Sequence, residues 1–429
     1  MVKPTIKVTG NARQERGLQT PWDHRYAHRT KQMTSSAVRE LLKFTEQPEV
    51  ISFAGGMPAP DLFPIEEFAE ACQKVLHEHG AQALQYGITE GYTPLREQIS
   101  RHTARYGISI NPDNVLITTG SQQALDLIGK IFINRGDRIL VESPTYLGAL
   151  QAWNAYGAEY ITVPLDENGM DTDALEEALR YGPKFIYVLP NFQNPTGVTL
   201  SMERRYKLVE LADRYGVPII EDDPYGQLRY DGEHLPSIVA IDHQYRENHD
   251  HCYRGNVIYL STFSKILAPG LRLAWVVAPH EVIRKMVEAK QGEDLNTSTF
   301  NQLVAHEVSK GGFLDEHIKL IRKVYRERRD AMLAAMDRYF PPEVDWTHPD
   351  GGLFLWATLP EYLTSKDVLE EALKQKVAFV TSEPFYPDGS GHRSMRLNFS
   401  YSMPDKINEG IHRLGSVIKA KAEEKKKEL

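Results

Sequence analysis

The sequence predicts an α/β fold, with a mostly parallel β-sheet in a large domain and a smaller α+β domain after it. Three observations lead there. From about residue 115, short apolar, β-branched runs alternate with stretches of helical spacing, the pattern of a parallel sheet covered by helices on both faces. After residue 279 the rhythm changes and helical spacing dominates. The chain has 429 residues, and at roughly 150 residues per domain that length suggests two to three units.

The elements follow in chain order. Residues 1–50 are polar and irregular, with a helix expected around Ser36 to Phe44. Ser52-Phe53-Ala54-Gly55-Gly56-Met57-Pro58-Ala59-Pro60 is a loop, because Gly and Pro punctuate it. Val115 to Thr119 is expected as a strand, and Gln122 to Asn134 as the helix after it. Arg138 to Glu142 is a second strand, followed by helical spacing over Tyr146 to Tyr156. Tyr160 to Val163, Phe185 to Leu189, Pro218 to Glu221, Val257 to Ser261 and Leu273 to Ala278 are further buried strands, with a helix over Met202 to Tyr215. Helices then run from Glu281 to about Tyr339, the charged stretch Glu316 to Arg338 acting as a connection. Strands over Phe354 to Thr358 and Ser394 to Ser400 alternate with helices over Lys366 to Lys376 and Lys406 to Ala420. The tail from Lys419 to Leu429, mostly Lys and Glu, is a solvated helix end.

Composition excludes several classes. Apolar residues make up 41% and charged ones 25%, as in ordinary soluble globular proteins. The formal net charge of −8 argues against a nucleic-acid partner, whose phosphates must be neutralised. Two cysteines, Cys72 and Cys252, can build neither a disulfide framework nor a CxxC metal site, and they point to a reducing, cytoplasmic compartment. No apolar run approaches the roughly 18 residues a membrane span requires. Residues 1–20 carry Lys3, Lys7, Arg13, Glu15 and Arg16 without an apolar core, unlike a secretory signal.

Four short motifs carry chemistry. Ser261-Thr262-Phe263-Ser264-Lys265 follows a strand and places a lysine among hydroxyls, with Arg272 further on. That is either a surface lysine or an imine-forming lysine beside a phosphate cradle, since a guanidinium offers a planar fork to phosphate oxygens. Thr118-Thr119-Gly120-Ser121-Gln122-Gln123-Ala124 joins a strand to a helix N-terminus, which favours an anion or is a plain serine cap. Asn191-Phe192-Gln193-Asn194-Pro195-Thr196-Gly197 is a turn at the carboxyl end of a strand, where ligands bind in open α/β sheets. Glu221-Asp222-Asp223-Pro224-Tyr225 ends another strand. With no third carboxylate or His at ligand spacing nearby, metal binding ranks below an organic cofactor. Together the motifs supply an amine, an anion cradle, an acid and an amide donor, the set that pyridoxal 5′-phosphate needs.

On these motifs, with Tyr86-Gly87 and Met395-Arg396-Leu397, the chain resembles the fold-type I, class I/II pyridoxal-phosphate aminotransferases, and most closely the 2-aminoadipate/kynurenine aminotransferase branch. The resemblance implies an amino acid and a 2-oxo acid as substrates. It implies that Lys265 carries the cofactor and later shuttles a proton, and that Asp222 pairs with the ring nitrogen. Asn194 and Tyr225 would hold the ring oxygen, and Tyr146 would stack on the ring. Ser121, Gln122, Thr262, Ser264 and Arg272 would bind the phosphate, joined by Tyr86 from a neighbouring subunit of a homodimer. Arg396 and Asn194 would clamp the substrate carboxylate beside the Gly55-Gly56 backbone. The expected domain limits are 1–57 for an N-terminal arm with part of the small domain, 58–311 for the large cofactor domain and 312–429 for the small domain.

Elementary chemistry agrees with these roles. Removing a Cα proton requires a ring that draws electrons inward, hence an ionised acid such as Asp222 at its nitrogen. One positioned base with a lowered pKa suffices, and Lys265 is that base. In aminoadipate-acting members, the resemblance implies, an arginine of the N-terminal segment reads the distal carboxylate; here Gln32 stands there, with Arg29 and Lys31 near, so breadth toward aliphatic and aromatic donors is expected. Two rivals stay open: other pyridoxal-phosphate chemistry such as β-elimination or a mutase reaction, and a ligand-sensing regulator. The regulator needs a basic DNA-binding domain, which residues 1–50 are too short and too weakly charged to supply. His243, His249, His251 and Cys252 form a polar loop, His77 and His79 do not share a helix face, and Val324 to Arg329 is a solvated helix face.

Overall fold

The computed structural model describes residues 22–33, 47, 49–104, 107, 110–246 and 252–428. The helix expected around Ser36 to Phe44 lies outside them, as do His249 and His251. The strands, in chain order, are β1 (Ile51–Ser52), β2 (Val115–Thr118), β3 (Arg138–Ser143), β4 (Glu159–Asp166), β5 (Gly169–Met170), β6 (Ile186–Val188) and β7 (Ile219–Asp222). They continue with β8 (Val257–Thr262), β9 (Ala274–Val277), β10 (Asp345–Trp346), β11 (Phe354–Thr358), β12 (Val377–Ala378), β13 (Val380–Thr381) and β14 (Ser394–Asn398). An eight-stranded sheet runs β2-β9-β8-β7-β6-β3-β4-β5. Its β4-β3-β6-β7-β8 core is parallel. Both faces of that core are covered, so β2, β6, β7 and β8 are buried at every position rather than alternating.

The strand expected over Leu273 to Ala278 forms as β9 but runs antiparallel to both β2 and β8. This reversal matters for the site. Because β2 and β8 both oppose β9, the carboxyl ends of β2, β3, β6, β7 and β8 and the amino end of β9 lie along one sheet edge.

The sheet separates two apolar layers. Leu116, Val141, Tyr187, Ile220, Leu260 and Val276 share a cluster with Leu125, Ile128 and Trp153 of the helices Ser121–Phe132 and Leu147–Asn154. Ile117, Leu140, Ile186, Ile219 and Tyr259 face the other cluster, with Leu208 and Leu211 of the helix Met202–Tyr215. That helix has the limits its spacing predicts, capped by the Ser201 side chain and closed by Gly216 in the left-handed region. The connecting helix is longer than expected, Phe313–Tyr339, and the last helix runs Pro404–Glu428.

The chain beyond that connection forms an antiparallel sheet, β10-β11-β14-β13. β1 pairs parallel with β12, so Ile51 and Ser52 lie beside Val377 and Ala378. The Asn398 N–H donates to the Phe53 carbonyl at 2.8 Å. These bonds tie the Gly/Pro loop to β14. No helix among the described residues is long and apolar enough to cross a membrane.

Candidate active site

The shared sheet edge gathers the motifs. β2 delivers Gly120-Ser121 to the N-terminus of the helix Ser121–Phe132. Gly120 has φ +78°, and a Cβ there would sit 2.4 Å from a terminal nitrogen of Arg272. Only glycine lets that guanidinium lie over the turn. The Ser121 hydroxyl oxygen is buried with no partner among the described residues. The first N–H groups of a helix also lack intrahelical acceptors. An orphaned hydroxyl, a helix N-terminus and an arginine therefore converge on a place suited to a phosphate.

The other proposed phosphate ligands divide. Thr262 Oγ1 lies 3.0 Å from the Leu273 carbonyl oxygen and from Ser264 Oγ, and accepts the Ser264 N–H at 3.0 Å. Thr262 thus shapes the turn that presents Ser264 and Lys265. The Gln122 side chain donates to the Gly148 carbonyl at 2.8 Å, which leaves its backbone N–H as the group facing an anion. Tyr86 is 78% exposed, and its near neighbours in the chain, Leu84 and Ile88, are exposed as well. Gln32 is exposed on the short 3-10 helix His28–Gln32. Within one chain, neither Tyr86 nor Gln32 is joined to the Lys265 cleft by a hydrogen bond among the described residues.

β7 resolves the acidic triplet by side-chain parity. Glu221 accepts the Ile238 and Val239 N–H groups, both at 2.8 Å, and so holds the start of the helix Ile238–Tyr245. Asp223 accepts the Asn191 amide and the Gly226 N–H, both at 2.9 Å, and the Tyr259 hydroxyl at 3.2 Å. Asp222 alone keeps an oxygen free: Oδ2 accepts the Tyr187 hydroxyl at 2.7 Å, and Oδ1 is buried without a partner among the described residues. Burial, with Asp223 adjacent, raises the Asp222 pKa to about 7, against the pull of the Tyr187 hydrogen bond. A cation at Oδ1 would restore the charged form.

Lys265 Nζ donates to the Gly56 carbonyl at 2.7 Å. Burial, reinforced by Arg396 and Arg272, lowers its pKa to about 8, so a neutral amine is accessible near physiological pH. Tyr225 is buried within reach of the charges of Tyr146, Arg396 and Asp222, and burial pushes its phenol far above the usual range. Burial raises the Tyr146 phenol as well, with Asp222 adding to the effect and Arg396 opposing it.

The facing side comes from β14. Arg396 donates to Asn194 Oδ1 at 2.8 Å and to the Ala54 carbonyl at 2.7 Å, while its Nε is buried without a partner among the described residues. Its guanidinium lies 4.3 Å from the Phe354 ring centroid and 5.2 Å from that of Phe385. Burial lowers even this arginine to about 10. Phe354 also approaches Gly56 and meets the Tyr225 ring edge-on. Sequence reasoning missed Phe354, Phe385 and Tyr187, which read only as core positions. The turn carrying Asn194 is held by Gln193, whose amide donates to the Pro144 carbonyl at 2.8 Å and whose oxygen accepts from Thr196. A separate cavity of about 960 Å³ opens beside Ser143, Trp346, Trp356 and Tyr386, and none of the groups described above as facing the cofactor or substrate lines it. No group of His, Cys, Asp and Glu able to hold a metal occurs among the described residues.

An amine of lowered basicity, an acid with one open oxygen, an orphaned hydroxyl in a phosphate cradle and an amide donor fit pyridoxal 5′-phosphate. Fold and site together define a pyridoxal-phosphate-dependent enzyme. Residues 48–414 match the family "aminotransferase class I and II". The aromatic-amino-acid aminotransferase 1 of Thermococcus litoralis is 49% identical over 394 residues, covering 90% of this chain and 92% of that one. The structure of LysN, the α-aminoadipate aminotransferase of Thermus thermophilus, complexed with N-(5′-phosphopyridoxyl)-L-leucine, is 43% identical with a TM-score of 0.87, covering 94% of this chain and 99% of that one. The multiple substrate aminotransferase of Thermococcus profundus is 47% identical with a TM-score of 0.88, covering 94% of this chain and all of that one, 100%. The chain belongs to the class I and II aminotransferases and transfers amino groups with pyridoxal 5′-phosphate.

Proposed function

We propose that the enzyme moves the amino group of aliphatic and aromatic L-amino acids, and of 2-aminoadipate, to a 2-oxo acid such as 2-oxoglutarate in two half-reactions. The observation that carries this reading is the pairing of Lys265, an amine near neutrality, with Arg396, a buried guanidinium whose Nε is free. One suits a proton at Cα and the other the α-carboxylate next to it. When bound, pyridoxal phosphate supplies the electron sink that makes the Cα–H bond acidic.

The residues divide the work. Arg396, oriented by Asn194 and the Ala54 carbonyl and held between Phe354 and Phe385, binds the carboxylate and fixes the Cα–H direction. Lys265 Nζ, free of its cofactor bond, accepts the Cα proton; Arg396 and Arg272 keep it neutral enough to do so. Asp222 Oδ1 holds the proton on the ring nitrogen. Ser121, Ser264, Arg272 and the Gln122 N–H anchor the phosphate, Asn194 and Tyr225 the ring oxygen, and Tyr146 the ring face.

The donor range rests on the exposed Gln32, a neutral amide where a dicarboxylate enzyme would place a cation. It also rests on the leucine adduct named for the LysN structure. The exposed run of Leu84, Tyr86 and Ile88 supports a homodimer in which Tyr86 reaches the partner's phosphate site. The β1–β12 pairing supports assigning residues 1–57 partly to the small domain, with 58–311 and 312–429 as the large and small domains. The two free cysteines support a reducing, cytoplasmic setting.

A donor panel of 2-aminoadipate, Leu, Phe, Tyr, kynurenine and Ala with 2-oxoglutarate tests the proposal. Glutamate should form stoichiometrically, with Leu or an aromatic donor at least matching 2-aminoadipate in kcat/KM. Free ammonia in place of glutamate would overturn the transfer to 2-oxoglutarate. A strict 2-aminoadipate preference would overturn the breadth.

A further inference from the structure

Tyr187 stands directly behind the acid at the centre of the site. It lies on β6 opposite Ile220 of β7, so it shares a sheet face with Asp222, two residues on. Its side chain is fully buried. A tyrosine in a wholly covered parallel strand needs a partner for its hydroxyl, and that partner is Asp222 Oδ2 at 2.7 Å. The Tyr187 ring is braced by the indole of Trp153, edge-on at 5.0 Å and 90°. Trp153 is itself pinned by donating to the Leu125 carbonyl at 2.9 Å. The hydroxyl is therefore presented from β6 by a ring that the helix layer braces.

Asp222 has no other hydrogen-bond donor among the described residues. Its charged neighbours do not help it. Asp223, just after β7, opposes its ionisation, and Glu142 of β3 feels its charge, as do the phenols of Tyr146 and Tyr225. The Tyr187 hydrogen bond is the one interaction that favours the carboxylate.

We infer that Tyr187 is a positioning residue for amino transfer: by engaging Oδ2 it leaves Oδ1 as the oxygen open to the cofactor nitrogen and holds Asp222 as the carboxylate. This rests on the proposed pairing of Asp222 with the ring nitrogen. No bond is made or broken by Tyr187, and its proton stays on the phenol, whose pKa burial holds well above the usual range.

The test is Tyr187→Phe, which removes one oxygen and keeps the ring against Trp153. Loss of a hydrogen bond to a charged group predicts a fall in kcat of about ten- to a hundredfold. KM for the donor should change little, because Tyr187 does not face Arg396. In the apoprotein, the infrared band of the Asp222 carboxylate, assigned by its loss in Asp222→Asn, should titrate at higher pH in Tyr187→Phe than in the parent. In the Asp222→Asn background, Tyr187→Phe should add almost nothing to the loss. A parental kcat, an unmoved titration, or a full additive loss in that background would overturn the role of Tyr187. If Asp222→Asn itself keeps parental activity, the functional reading of Asp222 fails instead, so the two failures are distinguishable.

Discussion

The edge of the large sheet and the strip that faces it are built in different ways. Along the edge, Gly120-Ser121, Asn194, Asp222, Lys265 and Arg272 each sit at the end of a buried strand or in the turn beside it. Their backbones are fixed by the sheet, and their side chains are bonded or shielded within one chain. The facing strip draws Arg396 from β14, Gly56 from a Gly/Pro loop, and Gln32 and Tyr86 from exposed segments. The cofactor half of the site is thus pre-formed by the fold. The facing strip combines one buried arginine with two groups, Gln32 and Tyr86, that no hydrogen bond joins to the Lys265 cleft among the described residues. On the proposed reading, the chemistry belongs to the sheet edge, and substrate choice and assembly belong to the exposed segments.

The sharpest way to break this comparison is at Asp222. Asp222→Asn should retain cofactor but lose transamination by about a thousandfold or more, since the ring nitrogen is no longer held protonated. Asp223→Asn should cost stability first, because Asp223 closes the Asn191 and Gly226 contacts; activity per folded molecule should stay within about tenfold. Steady-state kinetics with thermal melting would separate them, and the reverse ranking would shift the acid by one residue.

Arg396→Lys comes next. A lysine keeps the charge but lacks the planar fork that reaches Asn194 and the Ala54 carbonyl together. A loss in kcat/KM of about a hundredfold is expected, with cofactor affinity unchanged in a direct titration. A loss of cofactor binding instead would blur the division into two halves.

Subunit mixing probes the exposed side. Tyr86→Ala and Lys265→Ala homodimers should each be weak or inactive, whereas mixed and refolded subunits should regain activity, because one site in each hybrid has both residues. Activity that stays at the level of the unmixed variants, or a fully active monomer by light scattering, would remove Tyr86 from the site.

The smallest effect is expected at Gln32. Gln32→Arg should raise kcat/KM for 2-aminoadipate, by about tenfold, and leave Leu within about twofold, as a charged pair replaces an amide contact. Arg29 is on the same short helix, and its charge is felt at Tyr156. Arg29→Ala should therefore leave neutral donors untouched. An unchanged 2-aminoadipate value in Gln32→Arg would place donor recognition elsewhere.

Legibility in the sequence follows the same division. β2, β3, β7 and β8 are readable because buried parallel strands are continuous β-branched runs, and the residues after them carry the motifs. The reversal of β9 is not readable, since a strand buried on both faces has the same composition in either direction. The choice of Asp222 from three successive acids comes from the resemblance; the physical reason appears only when Glu221 is seen capping a helix and Asp223 closing a turn. The sequence does not say which group of Gln122 would meet a phosphate; its side-chain amide donates to the Gly148 carbonyl. Tyr187 and Phe354 carry no local signal, as an aromatic in a strand is ordinarily core, and Phe385 ends a short 3-10 helix that gives none either. Tyr86 and Gln32 lie on exposed segments, where no packing pattern in the sequence marks a role.

Lys265 is the proposed attachment point of the cofactor, and borohydride reduction of the holoenzyme followed by peptide mapping checks that assignment. The apoprotein should be loaded with pyridoxal phosphate across a pH series before reduction. Lys265 is protonated below about pH 8 and neutral above it, so the rate of labelling should rise with pH and level off above about 8. Arg396→Ala removes a neighbouring cation, which should move that midpoint to higher pH. The account predicts a single pyridoxyl-modified peptide carrying Lys265 with this pH dependence; the label on any other lysine would contradict it.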